Sequence, residues 1–123
     1  MTKRITKKNT IGLHIIGDIF KKDRVRLKSC EAAKNKISYV IKKFFLTELG
    51  NFYYQFPDGG FTGVVSLVES HVAIHTWPEF GYLTLDVYLC NYSRDNTKTC
   101  KIVFDEISKF FKPAKITKRL IKR

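Results

Sequence analysis

The stretch Tyr82–Cys90 alternates Leu83, Leu85, Val87 and Leu89 with Tyr82, Thr84, Asp86 and Tyr88, the period of two of a half-buried β-strand. Two more strand-like runs precede it, the Val-rich Thr62–Glu69 and the segment His71–Trp77. Only Ser70 lies between those two, and the short loop Pro78-Glu79-Phe80-Gly81 leads into the third. A further aromatic strand, Phe52–Phe56, is closed by the turn signal Pro57-Asp58-Gly59-Gly60. Four strands in such close succession commit the middle of the chain to a sheet.

The flanks supply the helices. From Cys30 to about Phe45 the apolar residues Ala33, Ile37, Val40, Ile41 and Phe44 recur at helical spacing, with Ser29 placed as N-cap and Gly50 ending the unit. A second helix is expected from near Asp95 to Phe111, with Cys100, Val103, Phe104, Ile107 and Phe111 inward and Pro113 at its end. Residues 11–17 read as a first strand and 114–121 as a final edge strand, while Lys21–Ser29 is too polar for core and reads as a connection. The order β, α, several β, α, β predicts an α+β fold: a two-layer sandwich with an antiparallel-rich sheet and both helices on one face. Apolar and aromatic residues on both sides of several strands leave the other face looking for cover. A second copy on a two-fold axis is the simplest cover, giving a four-layer αββα dimer.

At 123 residues the chain reads as a single domain, 1–123, with no repeat, linker or low-complexity segment. The net charge of +12 suggests nucleic acid until it is located. Ten of those charges sit on Lys3, Arg4, Lys7, Lys8, Lys112, Lys115, Lys118, Arg119, Lys122 and Arg123 at the two ends, which contain no acid. No RNA-recognition pattern accompanies them, so they read as a solvated periphery rather than a nucleic-acid site. No apolar run approaches a membrane span, and no signal-peptide core follows the basic start. Three cysteines, Cys30, Cys90 and Cys100, without CxxC spacing argue against a disulfide framework and for a reduced, cytoplasmic protein.

The strand-like stretch Glu69–Cys90 also carries Ser70, His71, His75, Trp77 and Glu79, side chains an ordinary strand core does not use. If loop 78–81 joins a hairpin, 77 pairs with 82, 75 with 84 and 71 with 88, which sets Cys90 opposite Glu69 and beside Ser70. Parity then places Glu69, His71, His75 and Cys90 on one face, with a bulge or break expected at Ser70. Singly, each residue has an ordinary explanation: a buried Cys as a small hydrophobe, His75 as a hydrogen-bonded core residue, Trp77 and Phe56 as core, Glu79 as a solvated loop acid. A zinc site on His71 and His75 fails, because the two are four positions apart in a strand, about 13 Å. A Cys–His nucleophile pair lacks an oxyanion-loop motif. These residues alone define a site without a reaction.

The run Phe56–Cys90, with Glu69-Ser70-His71-x-x-Ile74-His75-Thr76-Trp77-Pro78-Glu79 at its centre, resembles the small prokaryotic S-adenosylmethionine decarboxylases, a pyruvoyl-dependent family. Ile11–Phe20 and the C-terminal helix and basic strand resemble it more weakly. The resemblance implies self-cleavage of the Glu69–Ser70 bond, giving a β chain of residues 1–69 and an α chain of residues 70–123. Ser70 would become a pyruvoyl group that forms a Schiff base with the substrate amine and serves as electron sink. It further implies His75 as the processing base, assisted by Thr62 where many members have serine, and Cys90 as the proton donor after CO2 leaves. Phe56 would stack on adenine, Glu79 would hold the ribose hydroxyls, and Trp77 would complete the substrate site. The implied protein is a homodimer with sites at its interface, acting on S-adenosylmethionine in polyamine synthesis. Arginine or ornithine as substrate is the alternative on the same fold and cofactor, and a non-catalytic homologue or basic RNA-binding module is the alternative outside catalysis.

Overall fold

A computed structural model describes residues 10–92 and 94–123. The chain runs β1 (Gly12–Phe20), α1 (Cys30–Lys43), β2 (Glu48–Gln55), β3 (Phe61–Leu67), β4 (Ser70–Trp77), β5 (Tyr82–Cys90), α2 (Thr97–Phe110) and β6 (Lys115–Lys122). The strands form one sheet in the order β2-β3-β4-β5-β1-β6, with every neighbouring pair antiparallel. Both helices pack on it from one side, the expected α+β sandwich. No helix among the described residues is long and apolar enough to cross a membrane. The cationic stretch 1–8 lies outside the described residues.

Alternation produces this layering. In β5 the residues Leu83, Leu85, Val87 and Leu89 are fully buried, as are Val72 and Ile74 of β4 and Ile15 and Ile19 of β1. They meet Ala33, Ile37, Val40 and Ile41 of α1 and Cys100, Val103, Phe104 and Ile107 of α2 in one core. The Ser29 hydroxyl accepts from the Ala32 N–H at 3.2 Å and caps α1, satisfying one free donor of its first turn. Helix α2 lies close over β1 because Gly17 has no side chain: a Cβ there would stand 2.4 Å from the Phe104 ring.

Two expectations fail for physical reasons. Gly50 does not end the first helical unit; α1 stops at Lys43, and Gly50 lies inside β2 beside a register shift between Glu48 and Gly50. The polar connection Lys21–Ser29 is not wholly outside the core. It forms a 3-10 turn at Arg26–Lys28 that inserts Leu27, fully buried, under β4. The Thr76 hydroxyl fixes this turn, donating to the Leu27 carbonyl at 2.8 Å and accepting from the Phe61 N–H at 3.0 Å.

The other sheet face carries polar and aromatic side chains in rows across the strands. One row reads Thr117, Asp18, Thr84, His75, Thr62, Tyr54. Phe52, Val64 and Trp77 are exposed, at 67%, 44% and 37%, which is a large apolar content for a face without cover.

Candidate active site

The β4–β5 hairpin has the expected register: Trp77 faces Tyr82, His75 faces Thr84 and His71 faces Tyr88. At its far end the Cys90 N–H donates to the Glu69 carbonyl at 2.9 Å. Between them Ser70 adopts φ 112°, a backbone region that residues with a Cβ rarely occupy and that costs about 1–3 kcal/mol. The break expected at Ser70 is therefore a local strain at the peptide unit that follows Glu69. The carbonyl of Glu69 is polarised by an amide donor, and a hydroxyl stands on the next residue.

The strain redirects Glu69. An unbroken strand would stand its side chain with His71 and His75; instead its carboxylate accepts from Asn96 Nδ2 just before α2. Asn96 is fully buried and also donates to the Cys90 carbonyl at 2.9 Å, so one amide side chain holds both sides of this end of the site. Arg94 Nε donates to Asn96 Oδ1 at 3.1 Å and orients that amide. Sequence reasoning missed Asn96. Its only signal was a polar residue just ahead of an amphipathic helix, which ordinarily means a cap.

The remaining candidates gather at the opposite end of the strands. His75 Nδ1 and Thr62 Oγ1 are 2.5 Å apart, across the β3–β4 pair. Phe56, Thr62, His75, Trp77 and Glu79 line one cleft of about 330 Å³, whose other walls include Gly60 and Thr76. The Trp77 ring stacks on Tyr82, with centroids 5.4 Å apart and planes 25° apart. Asp18 Oδ1 accepts from the Tyr82 hydroxyl at 2.5 Å, and that bond, the largest cause, with burial and the Asp18 charge, pushes the phenol up to about 12.

Within one chain these two groups do not meet. Ser70 and His75 are five strand positions apart, about 16 Å at the rise of a β-strand. Between them, in the rows of the open face, stand His71, Tyr88 and His14, their rings 5.1–5.9 Å apart. His14 Nε2 lies 3.7 Å from Asp86 and has no hydrogen-bond partner among the described residues. Burial, the largest cause, lowers the His14 pKa, and His71 and Arg123 lower it further against the opposing pull of Asp86.

Fold and sequence agree on the class. The family model of S-adenosylmethionine decarboxylase matches residues 13–123. The S-adenosylmethionine decarboxylase proenzyme of Aquifex aeolicus is 39% identical over 114 residues, covering 93% of this chain and 82% of the relative. That of Thermoplasma volcanium is 38% identical over 113 residues, covering 92% and 84%. The crystal structure of the adenosylmethionine decarboxylase from Aquifex aeolicus superposes with a TM-score of 0.82 at 36% identity, covering 93% of this chain and 91% of that one. The chain is thus an enzyme of the decarboxylase class. It belongs to the S-adenosylmethionine decarboxylase family.

Proposed function

We propose that this single-domain chain is a proenzyme that cuts itself between Glu69 and Ser70 and then decarboxylates S-adenosylmethionine, a step of polyamine synthesis. The observation that carries the reading is the Cys90 N–H on the Glu69 carbonyl at 2.9 Å, next to a Ser70 held at φ 112°. Attack by Ser70 Oγ on that carbonyl puts negative charge on its oxygen, where the Cys90 amide already points. Release of the Ser70 nitrogen gives an ester and relieves the strained linkage. Loss of the Ser70 α-proton then expels the Glu69 carboxylate as leaving group, ending the β chain at residue 69. The remaining enamine tautomerises, takes up water and loses ammonia, leaving a ketone at the start of an α chain of residues 70–123.

That chemistry fits the residues present. A pyruvoyl group needs a serine precursor, and Ser70 stands at the strained bond. When formed, the group supplies an electron sink for the carbanion left by CO2. The Cys90 side chain, on the same strand end, returns the proton to the substrate α-carbon. Thr62 can accept from His75 Nδ1–H, which leaves the Nε2 lone pair free to take the Ser70 α-proton. The cleft offers Phe56 and Trp77 as flat apolar surfaces for adenine, and Glu79 as an acceptor for two ribose hydroxyls.

Because ~16 Å is beyond proton-transfer reach, the base belongs to a second copy. Two chains packed through their open sheet faces bury Phe52, Val64 and Trp77 and set Ser70 and Cys90 of each against the partner subunit's Thr62 and His75. The result is an αββα dimer with two identical composite sites. The free thiols of Cys30, Cys90 and Cys100 suit a reducing, cytoplasmic setting.

A mass spectrum of the purified protein tests the reading. Two fragments are expected, the second beginning at residue 70 with a blocked N-terminus. A chain that stays uncut on incubation overturns it. Release of CO2 from labelled S-adenosylmethionine, and not from arginine or ornithine, then fixes the substrate.

A further inference from the structure

We infer that Gln55 is a positioning residue for the substrate cleft: its carboxamide ties the Phe56–Gly60 turn to the first turn of α1 and so sets where the Phe56 ring stands. Gln55 ends β2 opposite Phe61, whose ring is buried in the core, so its side chain leaves the sheet on the helix face. The next residue, Phe56, points to the cleft. Gln55 itself does not line the cleft and acts on it through the backbone of the turn that does.

Three of the four hydrogen-bonding directions of the carboxamide are used, both N–H donors among them. Oε1 accepts from the Cys30 N–H at 3.2 Å, one of the donors at the start of α1 that no turn of the helix can satisfy. Nε2 donates to the carbonyls of Gly59 and Gly60, at 3.0 Å each. Gly60 O also accepts from the Phe56 N–H at 2.7 Å, so the atom that closes the turn is the atom Gln55 grips. Gly59, at φ 106°, lies so near Lys28 that a Cβ would stand 3.3 Å from its side chain. The turn is thus pressed against the 3-10 segment and latched to α1 by one side chain.

Few residues can do this. Two donors and one acceptor on a single planar group of this length are the inventory of glutamine. Glu keeps the shape and the acceptor but turns an anionic oxygen on two carbonyls. Met keeps the length and makes no hydrogen bond.

The inference rests on the proposed decarboxylase reading for its kinetic test, but not for its optical one. Gln55→Glu and Gln55→Met should self-cleave at the wild-type rate and keep kcat within about twofold, while KM for S-adenosylmethionine rises about five- to tenfold, with Glu no better than Met. Trp77 is the only tryptophan of the chain and lines the same cleft, so acrylamide quenching of its fluorescence reports the cleft directly. Quenching should increase in both variants. An unchanged KM together with unchanged quenching overturns the latch, as does a loss confined to kcat. Should the wild-type chain neither cleave nor decarboxylate, the functional reading fails, and the quenching comparison alone decides the latch.

Discussion

Replacing Ser70 by alanine removes the hydroxyl and leaves the Glu69 carbonyl and its Cys90 N–H donor in place. Ser70→Ala should therefore persist as one 123-residue chain on a denaturing gel. Cys90→Ala keeps the amide that polarises the carbonyl, since that donor is backbone, and loses only the thiol. It should yield both fragments and lose about 10²–10⁴ in decarboxylation rate, the usual worth of a positioned acid, read as CO2 release by fully cleaved protein. The third thiol should be silent. Cys100 is fully buried, its Sγ donates to backbone carbonyls of Leu13 and Val87, and burial pushes it up to about 11. Iodoacetamide at neutral pH should leave Cys100 unlabelled until the protein unfolds. His14 supplies a pH dependence. Its folded pKa is below 6.5, so between that lowered value and 6.5 the unfolded chain binds more protons than the folded one. Stability is then fully present above about pH 6.5 and falls as pH drops through the window to the folded pKa. Urea midpoints measured from pH 7.5 to 5 should fall for the wild type and flatten in His14→Gln.

At the scale of elements, the seam between α2 and β1 depends on one absent side chain. Gly17→Ala would push a methyl into Phe104, so it should destabilise by about 1–3 kcal/mol as overpacking. Phe104→Leu alone should cost about 1–2 kcal/mol as lost burial. The double variant should be more stable than the sum of the two, because the smaller side chain makes room for the methyl; additivity in urea titrations would show that the clash is relieved elsewhere. This seam was only half legible beforehand. The α2 stripe gave Phe104 as inward, and the alternation of Tyr82–Cys90 gave the face it would meet, but no periodicity says which strand must be bare of a side chain. Register was the most legible part of the site: pairing across loop 78–81 put Cys90 beside Glu69, as the Cys90–Glu69 hydrogen bond has it. What escaped was whatever depended on a single residue acting against its surroundings. Leu27 sits among Lys and Arg residues and is buried in the core, with its carbonyl held by the Thr76 hydroxyl 49 residues on. Gly50 resembles a helix stop and is a strand residue at a register shift. Glu69 leaves the face that parity gives it because Ser70 breaks the parity.

Across the whole molecule the candidate groups stand at two ends of one sheet face, and this separation gives the dimer proposal its sharpest test. Ser70→Ala and His75→Ala each disable every site when present alone, so neither protein by itself should cleave. Co-expression of the two produces mixed dimers. If a site takes Ser70 from one copy and His75 from the other, one site of a mixed dimer carries both defects and its twin carries neither. The intact site cuts the chain that bears His75→Ala. With random pairing, half of the dimers are mixed and half of their chains are cut, so about one quarter of all chains should cleave, every one of them the His75→Ala chain, which fragment masses identify. If instead each site lay within one chain, every site in a mixed dimer would retain a single defect and no cleavage would appear. Tagging the two variants differently and isolating the mixed dimer should raise the cleaved share to about one half. The same geometry explains why the open face carries Phe52, Val64 and Trp77 among its polar rows. In the proposed dimer, apolar area would drive the two sheets together, and only that contact would bring the polar strand-end groups within reach of one another.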